Sequence, residues 1–181
     1  LRKNHDLIPA LVVMPQCPAG KSWNDPEIAK MALDALEDVS KAYHVDEKRL
    51  YLTGLSLGGR GAWYIAARTK GAFAAVVPIC GGGDPKDAVK LTTAPIWAHH
   101  GTDDKNVPIA ETQRIVDAVE QAGGDVKFSR IAGGDHFVWD RVYGDPKLWQ
   151  WVFAQERGGG ANSSDKPAKK SAAPKAKSTD E

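Results

Sequence analysis

The stretch Gly54-Leu55-Ser56-Leu57-Gly58-Gly59 reads G-x-S-x-G and stands between two different secondary-structure patterns. It follows a short β-like run, residues 49–53, and leads straight into a helix-like run built from Ala, Trp, Tyr and Ile, residues 60–68. In the context of strand, tight turn and helix, this motif presents its serine at the tip of a strained turn. The flanking glycines remove side chains that would collide there. The pattern predicts that Ser56 is a nucleophile at the positive end of the following helix.

The G-x-S-x-G motif has two alternative interpretations. A plain Gly/Ser turn between a strand and a helix fits the motif equally well. A dinucleotide-binding G-x-G-x-x-G loop does not, because it needs glycine where Ser56 stands or, starting at Gly59, where Tyr64 stands. The choice therefore depends on whether the rest of the chain supplies a base and an acid.

Composition places the chain among single globular domains. It has 181 residues, of which 42% are hydrophobic and 26% charged, and its net charge is +1. We therefore expect neither nucleic acid nor a membrane surface as the main partner. No apolar run approaches the ~20 residues of a membrane span. Cys17 and Cys80 lack the C-x-x-C spacing of a zinc or redox site, and we expect two reduced thiols, with one bridge as the alternative.

Strand-like and helix-like segments alternate along the chain. Residues 7–14 form an apolar run without alternation, which suits a strand covered on both faces of a parallel sheet. The other predicted strands are residues 49–53, 74–80, 95–101 and 126–131, and the predicted helices follow Asp25-Pro26, Gly59, Val107 and Asp145-Pro146. This order predicts an α/β fold with a largely parallel sheet. Ligands of such sheets bind at the carboxyl ends of the strands.

The composition changes at residue 157. Gly158-Gly159-Gly160 leads into Ser, Lys, Ala and Pro without large apolar residues, which predicts a disordered tail over residues 157–181 behind a folded domain over 1–156. The tail's lysines would suit a polyanion such as nucleic acid, but a solvated tail is the favoured interpretation.

Three loops that follow predicted strands hold a serine, an acid and a histidine. Ser56 is followed by Asp103 and Asp104 after the fourth strand, and by His136 in Ala132-Gly133-Gly134-Asp135-His136 after the fifth. Ser…Asp…His is the chain order of α/β hydrolases, and a parallel sheet brings these loops together. A serine hydroxyl needs an imidazole to take its proton, and the imidazole needs a carboxylate to fix its tautomer. We therefore assign His136 as the base, with the acid among the two aspartates.

Other aromatic and histidine side chains have weaker assignments. Trp23, in a loop after the first predicted strand, and Trp139, three residues after His136, are candidates to line a substrate cleft, although buried packing fits both. His99 and His100 are expected to pack or to donate hydrogen bonds at a strand end. The histidines are scattered and no H-E-x-x-H pattern occurs, so no metal is expected.

The sequence resembles α/β-hydrolase esterases of the dienelactone hydrolase, phospholipase/carboxylesterase and polyhydroxybutyrate-depolymerase-like group. The likeness covers roughly residues 7–155. The stretches that carry it are Pro15-Gln16-Cys17-Pro18 with Trp23, residues 46–59, residues 78–82, residues 100–108, and Gly134-Asp135-His136 with Trp139 and Tyr143. The resemblance implies a mostly parallel sheet with helices on both faces, hydrolysis of small or polymeric carboxylic esters, and no cofactor. Its H-G-x-x-D-x-x-V-P pattern places the acid on Asp104, with Ser56 as nucleophile and His136 as base.

Members of this group also carry an upstream H-G loop that supplies one of two oxyanion-hole amides. The other oxyanion-hole amide is expected to be that of Leu57 in this sequence. We expect a chain truncated at its N-terminus, which lacks the first strands of the family sheet and the oxyanion-hole amide of the H-G loop. The compartment stays open, with export slightly favoured because the group is often exported. A serine peptidase of the same fold and a non-catalytic binding protein remain as alternatives.

Overall fold

The protein is described by a computed structural model over residues 6–158. Four strands alternate with helices along this part of the chain. The strands are β1 (Tyr51–Leu55), β2 (Ala75–Ile79), β3 (Ile96–Gly101) and β4 (Val126–Ile131). The helices are α1 (Pro26–Ala42), α2 (Leu57–Ala66), α3 (Ile109–Gln121), α4 (Trp139–Tyr143) and α5 (Pro146–Phe153), with 3₁₀ helices at Glu47–Arg49 and Pro85–Thr93.

The four strands form one parallel sheet in the order β1-β2-β3-β4. The carboxyl ends of the strands are in register, with Leu55 opposite Ile79 and Gly101 opposite Ile131. The loops that follow β1, β3 and β4 therefore leave the sheet at the same edge. The parallel arrangement predicted from the alternation of strands and helices is confirmed.

Helices cover both faces of the sheet, as predicted. On one face α1, α2 and α3 bury a core around Trp63, Val76 and Ile115. On the other face α4 and α5 bury a second core around Ile79, Leu148 and related residues. Both faces of β2 and β3 are buried; β2 consists of apolar residues, and β3 does as well except for His99 and His100.

The predicted helix starts at Asp25-Pro26 and Asp145-Pro146 are confirmed. The Asp25 carboxylate accepts a hydrogen bond from the Glu27 amide at 2.9 Å, and Asp145 does the same for the Lys147 amide at 2.9 Å. Each aspartate satisfies one amide that the first helical turn leaves unpaired, and the proline that follows has no amide to lose.

The predicted first strand, residues 7–14, is wrong. Within residues 6–158 this segment pairs with no strand, and Leu11, Val12 and Met14 are 57%, 46% and 58% exposed. Ile8 alone among these residues is buried, in the core beneath α4 and α5. An apolar run becomes a strand only where a neighbouring strand satisfies its backbone groups, and β1 forms its hydrogen-bonded ladder with β2.

Three short elements were not predicted from the sequence: the 3₁₀ helices Glu47–Arg49 and Pro85–Thr93 and the helix α4. Each is too short to display a helical repeat of apolar residues. The predicted tail, residues 157–181, lies almost wholly outside the described residues, as do residues 1–5. Among the described helices, none combines the length and the apolar character needed to cross a bilayer.

Two adjacent glycines in the first turn of α2 test how tightly this helix packs on the sheet. A Cβ on Gly59 would lie 2.5 Å from the Ile79 carbonyl oxygen, whereas a Cβ on Gly58 would meet no heavy atom within 4 Å. We expect Gly59→Ala to lower the free energy of unfolding by about 1–3 kcal/mol through overpacking. Gly58→Ala, the matched control, should leave it unchanged or raise it by up to about 1 kcal/mol. Urea denaturation of both variants measures this, and equal stabilities would contradict the close packing of α2 on β2.

Candidate active site

Ser56 occupies a sharp turn between β1 and α2. Its backbone has φ 52° and ψ −113°, a conformation that costs a non-glycine residue about 1–3 kcal/mol. The turn is held in place by the Ser56 amide, which donates to the Ile79 carbonyl on the neighbouring strand at 2.8 Å. Gly54 is required beside it, because a Cβ there would overlap the Gly58 carbonyl. The surrounding backbone therefore imposes this conformation and aims the serine hydroxyl away from the strand end.

The structure brings Ser56, His136 and Asp104 into one hydrogen-bonded chain. His136 Nε2 lies 2.8 Å from Ser56 Oγ, and His136 Nδ1 lies 2.7 Å from Asp104 Oδ2. His136 is 7% exposed and Asp104 is 9% exposed. Because a carboxylate accepts and does not donate, Nδ1 carries a proton and Nε2 is free to accept one from the serine.

Asp103 stands apart from this chain. It is exposed, its amide donates to the Gly134 carbonyl, and its carboxylate accepts from the Thr102 hydroxyl at 3.0 Å. Asp104, one residue later, points inward. Of the two aspartates that the sequence offered, the one favoured by the family pattern is the one that contacts His136.

The loop of the acid and the loop of the histidine touch through backbone atoms. A Cβ on Gly101, the last residue of β3, would overlap the carbonyl oxygens of Gly134 and Asp135. The Gly133 amide donates to the Thr102 hydroxyl at 2.9 Å, and Gly133 itself has φ 65°. These contacts fix the separation between Asp104 and His136.

Asp104 stays ionised although it is buried. Burial raises the pKa of its carboxyl, but the Val107 amide, the His136 ring and the Asn106 amide donate hydrogen bonds to the charged form and together hold the pKa below its ordinary value. The two amides lie 2.9 and 2.8 Å from Oδ1, which leaves Oδ2 to the histidine.

The amide of Leu57, the predicted oxyanion donor, opens helix α2. As the first helical residue it has no acceptor within the helix, and the helix dipole adds partial positive charge at this end. Leu57 is 40% exposed, so the surface beside Ser56 is open. The position suits stabilisation of negative charge that develops next to the serine.

The two tryptophans predicted to line a cleft have different surroundings. Trp23 is 9% exposed and packs against Gly61 of α2, where a Cβ would lie 2.5 Å from the Trp23 Cβ. Packing against α2 is the role that these contacts show, and a place for Trp23 in a substrate cleft stays a prediction. Trp139 is half-buried and meets the His136 ring edge-on, with 5.6 Å between ring centroids.

Phe137 was not predicted from the sequence as a site residue. Its ring is 62% exposed and lies 5.8 Å from the His136 ring and 5.0 Å from the Trp139 ring, measured between centroids. Its place directly after the candidate base was the available signal. Together Phe137 and Trp139 form an aromatic surface beside the histidine.

Cys80, His100 and Asp104 place three potential metal ligands within 4.8 Å of one another. Their donor atoms are already committed. Both oxygens of Asp104 accept hydrogen bonds, and His100 Nε2 lies 2.9 Å from the Val107 carbonyl, an acceptor that requires a proton on that nitrogen. Burial raises the pKa of the Cys80 thiol to about 11, which keeps it protonated. The cluster therefore fits hydrogen bonding and not a metal ion.

Cys80 and Cys17 are both free thiols, as expected.

His99 points to the opposite face of β3 from His100. It is 7% exposed and its ring lies 5.0 Å from that of Trp97, so the packing role expected for it agrees with the structure. Its Nε2 has no hydrogen-bond partner among the described residues. Burial, assisted by the charge of Lys127, lowers the pKa of His99 to about 4.

This pKa makes folding stability depend on pH. Between the ordinary histidine value of 6.5 and about 4, the unfolded chain takes up a proton at His99 that the folded protein does not, so stability falls as the pH drops through this window. The full effect is about 3 kcal/mol. We expect His99→Phe, which keeps the ring contact with Trp97, to lose less stability than the native protein between pH 7 and pH 4. Urea denaturation across this range measures the difference, and identical pH profiles would contradict the depressed pKa.

Comparisons with known proteins identify the family of the chain. The chain matches the dienelactone hydrolase family over residues 18–145. It therefore belongs to the dienelactone hydrolase family, a family of hydrolases with the α/β-hydrolase fold.

Two solved structures and one further protein are similar to this chain. A thermostable esterase of known structure superposes with a TM-score of 0.74 and 31% identity, over 79% of this chain and 43% of its own. Esterase PE8 shares the fold at a TM-score of 0.57 and 20% identity, over 70% of this chain and 62% of its own. The bifunctional acetylxylan esterase/xylanase XynS20E of Neocallimastix patriciarum is 34% identical over 70 residues, which are 38% of this chain and 10% of that protein. The chain thus spans less than two thirds of each of these relatives.

Proposed function

We propose that the protein hydrolyses carboxylic esters, with Ser56 as nucleophile, His136 as general base and acid, and Asp104 as the orienting carboxylate. The observation that carries the proposal is the hydrogen-bonded chain from Ser56 Oγ through His136 to Asp104, at 2.8 and 2.7 Å. Membership of the dienelactone hydrolase family and the likeness to a thermostable esterase support it.

The chemistry follows from the protonation states that these contacts favour. Ser56 Oγ attacks the acyl carbon while its proton passes to His136 Nε2, and the carbonyl oxygen becomes an oxyanion. The intermediate then collapses as the alcohol leaves with the proton from His136, and an acyl-serine ester remains. Water attacks this ester with His136 again as base, which releases the carboxylic acid and restores the serine.

Two features stabilise the charges that arise in these steps. The ionised Asp104 faces the imidazolium formed when His136 takes the serine proton. The Leu57 amide, at the positive end of α2, is the oxyanion donor that we propose, and each such donor contributes a factor of about 10²–10³ to kcat. No cofactor or metal takes part in this scheme.

The aromatic surface formed by Phe137 and Trp139 is proposed to bind the substrate. It lies against the ring of His136, which passes its proton to the leaving alcohol in this scheme. A flat apolar surface beside an open site suits a planar aromatic group or the apolar face of a sugar ring. The name of the acetylxylan esterase relative makes acetyl groups on a polysaccharide one substrate worth testing.

Two other functions would use the same fold. Acylaminoacyl peptidase from Pyrococcus horikoshii superposes with a TM-score of 0.58 at 16% identity, a likeness that concerns the fold alone. Comparing p-nitrophenyl acetate with the matching p-nitroanilide separates an esterase from a peptidase. Absence of turnover on both, with Ser56→Ala indistinguishable from the native protein, would favour a non-catalytic binding protein.

The two neighbouring aspartates provide a matched test of the acid. We expect Asp104→Asn to lower kcat for p-nitrophenyl acetate by about 10⁴, because the amide would hold the imidazole in the wrong tautomer. Asp103→Asn should change kcat by less than about threefold, since an exposed turn residue outside the hydrogen-bonded chain contributes little. If Asp103→Asn proved the more damaging change, the assignment of Asp104 would be wrong.

The aromatic surface is tested through KM. Because Phe137 is 62% exposed, its truncation should cost little stability. We expect Phe137→Ala to raise KM for p-nitrophenyl acetate about 3–10-fold, the loss of one aromatic contact, with kcat nearly unchanged. Val89→Ala, which truncates a side chain that is 74% exposed on the 3₁₀ helix Pro85–Thr93, is the control and should leave KM unchanged. Equal KM values for the two variants would show that substrate does not contact Phe137.

A further inference from the structure

His100 is the most deeply buried polar group in contact with the proposed catalytic chain. The side chains of His100 and Asp104 are both fully buried, whereas that of His136 keeps 9% of its surface exposed. His100 Nε2 lies 3.1 Å from Asp104 Oδ2, the same oxygen that accepts from His136 Nδ1. The carboxylate therefore has two imidazole neighbours, one of which has no access to substrate.

The proton on this ring can be assigned from its partners. Nε2 lies 2.9 Å from the Val107 carbonyl oxygen, which only accepts, so Nε2 carries a proton. The hydrogen bond of this proton goes to Val107, and Asp104 Oδ2, 3.1 Å from Nε2, lies beside the same positively polarised N–H group. His100 thus places an N–H dipole next to the Asp104 carboxylate.

The other nitrogen of the ring accepts a hydrogen bond from Thr112, which lies close to the backbone behind the serine turn. Nδ1 lies 2.8 Å from the Thr112 hydroxyl, which is also 3.1 Å from the Gly81 carbonyl. That carbonyl has its own donor, Trp63 Nε1, at 2.9 Å, so the threonine proton is free to point to Nδ1. Gly81 in turn packs against the elbow, because a Cβ there would lie 2.7 Å from the Ser56 carbonyl oxygen.

Burial of a histidine removes two ring nitrogens from water, which is unfavourable, whereas an apolar side chain would pack at this position without that desolvation. The contacts of His100 with Val107, Thr112 and Asp104 offset the desolvation free energy, and of these only the contact with Asp104 involves a charged group.

We propose that His100 is a positioning residue: its Nε2–H holds the carbonyl of Val107, whose own amide donates to Asp104 Oδ1, and the same N–H group lies beside Asp104 Oδ2. The proposal rests on the proposed function, since it assigns a role relative to the same chain of three residues. Through Val107 the ring fixes the loop that carries the acid, so that Asp104 keeps its position relative to His136.

The loss of this donor has a predictable electrostatic effect. Without the His100 proton, Oδ2 presents more negative charge to His136, which stabilises the imidazolium, so the His136 ring should titrate at a higher pH. The neighbouring Cys80 thiol does not compensate, because burial keeps its pKa at about 11 and it remains a weak donor. A loss of packing alone would not move this titration.

The experiment compares His100→Phe, which keeps a ring of similar size, with His100→Gln, which restores an N–H donor. The control is His99→Phe, the adjacent buried histidine whose Nε2 has no partner among the described residues. Two quantities are measured: the pH midpoint of the His136 ring by NMR titration, and kcat/KM for p-nitrophenyl acetate.

We expect His100→Phe to raise the His136 midpoint by about 0.5 pH unit or more and to lower kcat/KM about 10–100-fold. His100→Gln should restore most of the native His136 midpoint and most of the native kcat/KM, and His99→Phe should change neither quantity. If His100→Phe does not fold, Thr112→Val replaces it; we then expect the His136 midpoint to rise and kcat/KM to fall about 3–10-fold.

The proposal is overturned if the folded variant lowers the melting temperature but leaves the His136 midpoint and kcat/KM as they are in His99→Phe. A native protein without ester hydrolysis would refute the proposed function separately, and the NMR midpoint would still decide the role of His100.

Discussion

The hydrogen bond between Asp104 Oδ2 and His136 Nδ1, at 2.7 Å, joins two loops that leave neighbouring strands at the same edge of the sheet. It forms because β3 and β4 end in register and because Gly101 lets the two loop backbones touch. Ionisation of the carboxylate strengthens this bond, and the amides of Asn106 and Val107 keep the carboxylate ionised despite its burial. Register, backbone contact and charge together fix the orientation of the His136 ring.

Strain is concentrated where β1 and β2 end. Besides Ser56, Cys80 adopts a positive φ of 48° immediately after β2, and both residues are held by hydrogen bonds to an adjacent strand. The Ser56 amide bonds to Ile79, and the Cys80 amide bonds to the His99 carbonyl at 2.9 Å. In each case the hydrogen bond to the neighbouring strand holds the residue in its strained conformation.

The elements with strong local signals could be predicted from the sequence. Asp-Pro marked the starts of α1 and α5, and an unbroken apolar run marked β2, because these features depend on neighbouring residues alone. Residues 7–14 carried the same apolar signal but form no strand, since pairing depends on a partner that the local sequence does not reveal. The contacts of His100 could not be predicted from the local sequence, because they involve residues distant in the chain, such as Thr112. The exposure of Phe137 could not be predicted either, because it depends on the shape of the surface.

The central claim is that Ser56 is an activated nucleophile, and covalent labelling with a fluorophosphonate tests it most directly. Such a reagent phosphonylates a serine whose hydroxyl is activated by a neighbouring base, and it requires no knowledge of the natural substrate. The account predicts one adduct per folded chain, located on Ser56 by mass spectrometry of peptides and absent from Ser56→Ala. Labelling that is absent from the folded native protein, or that persists unchanged in Ser56→Ala, would contradict it.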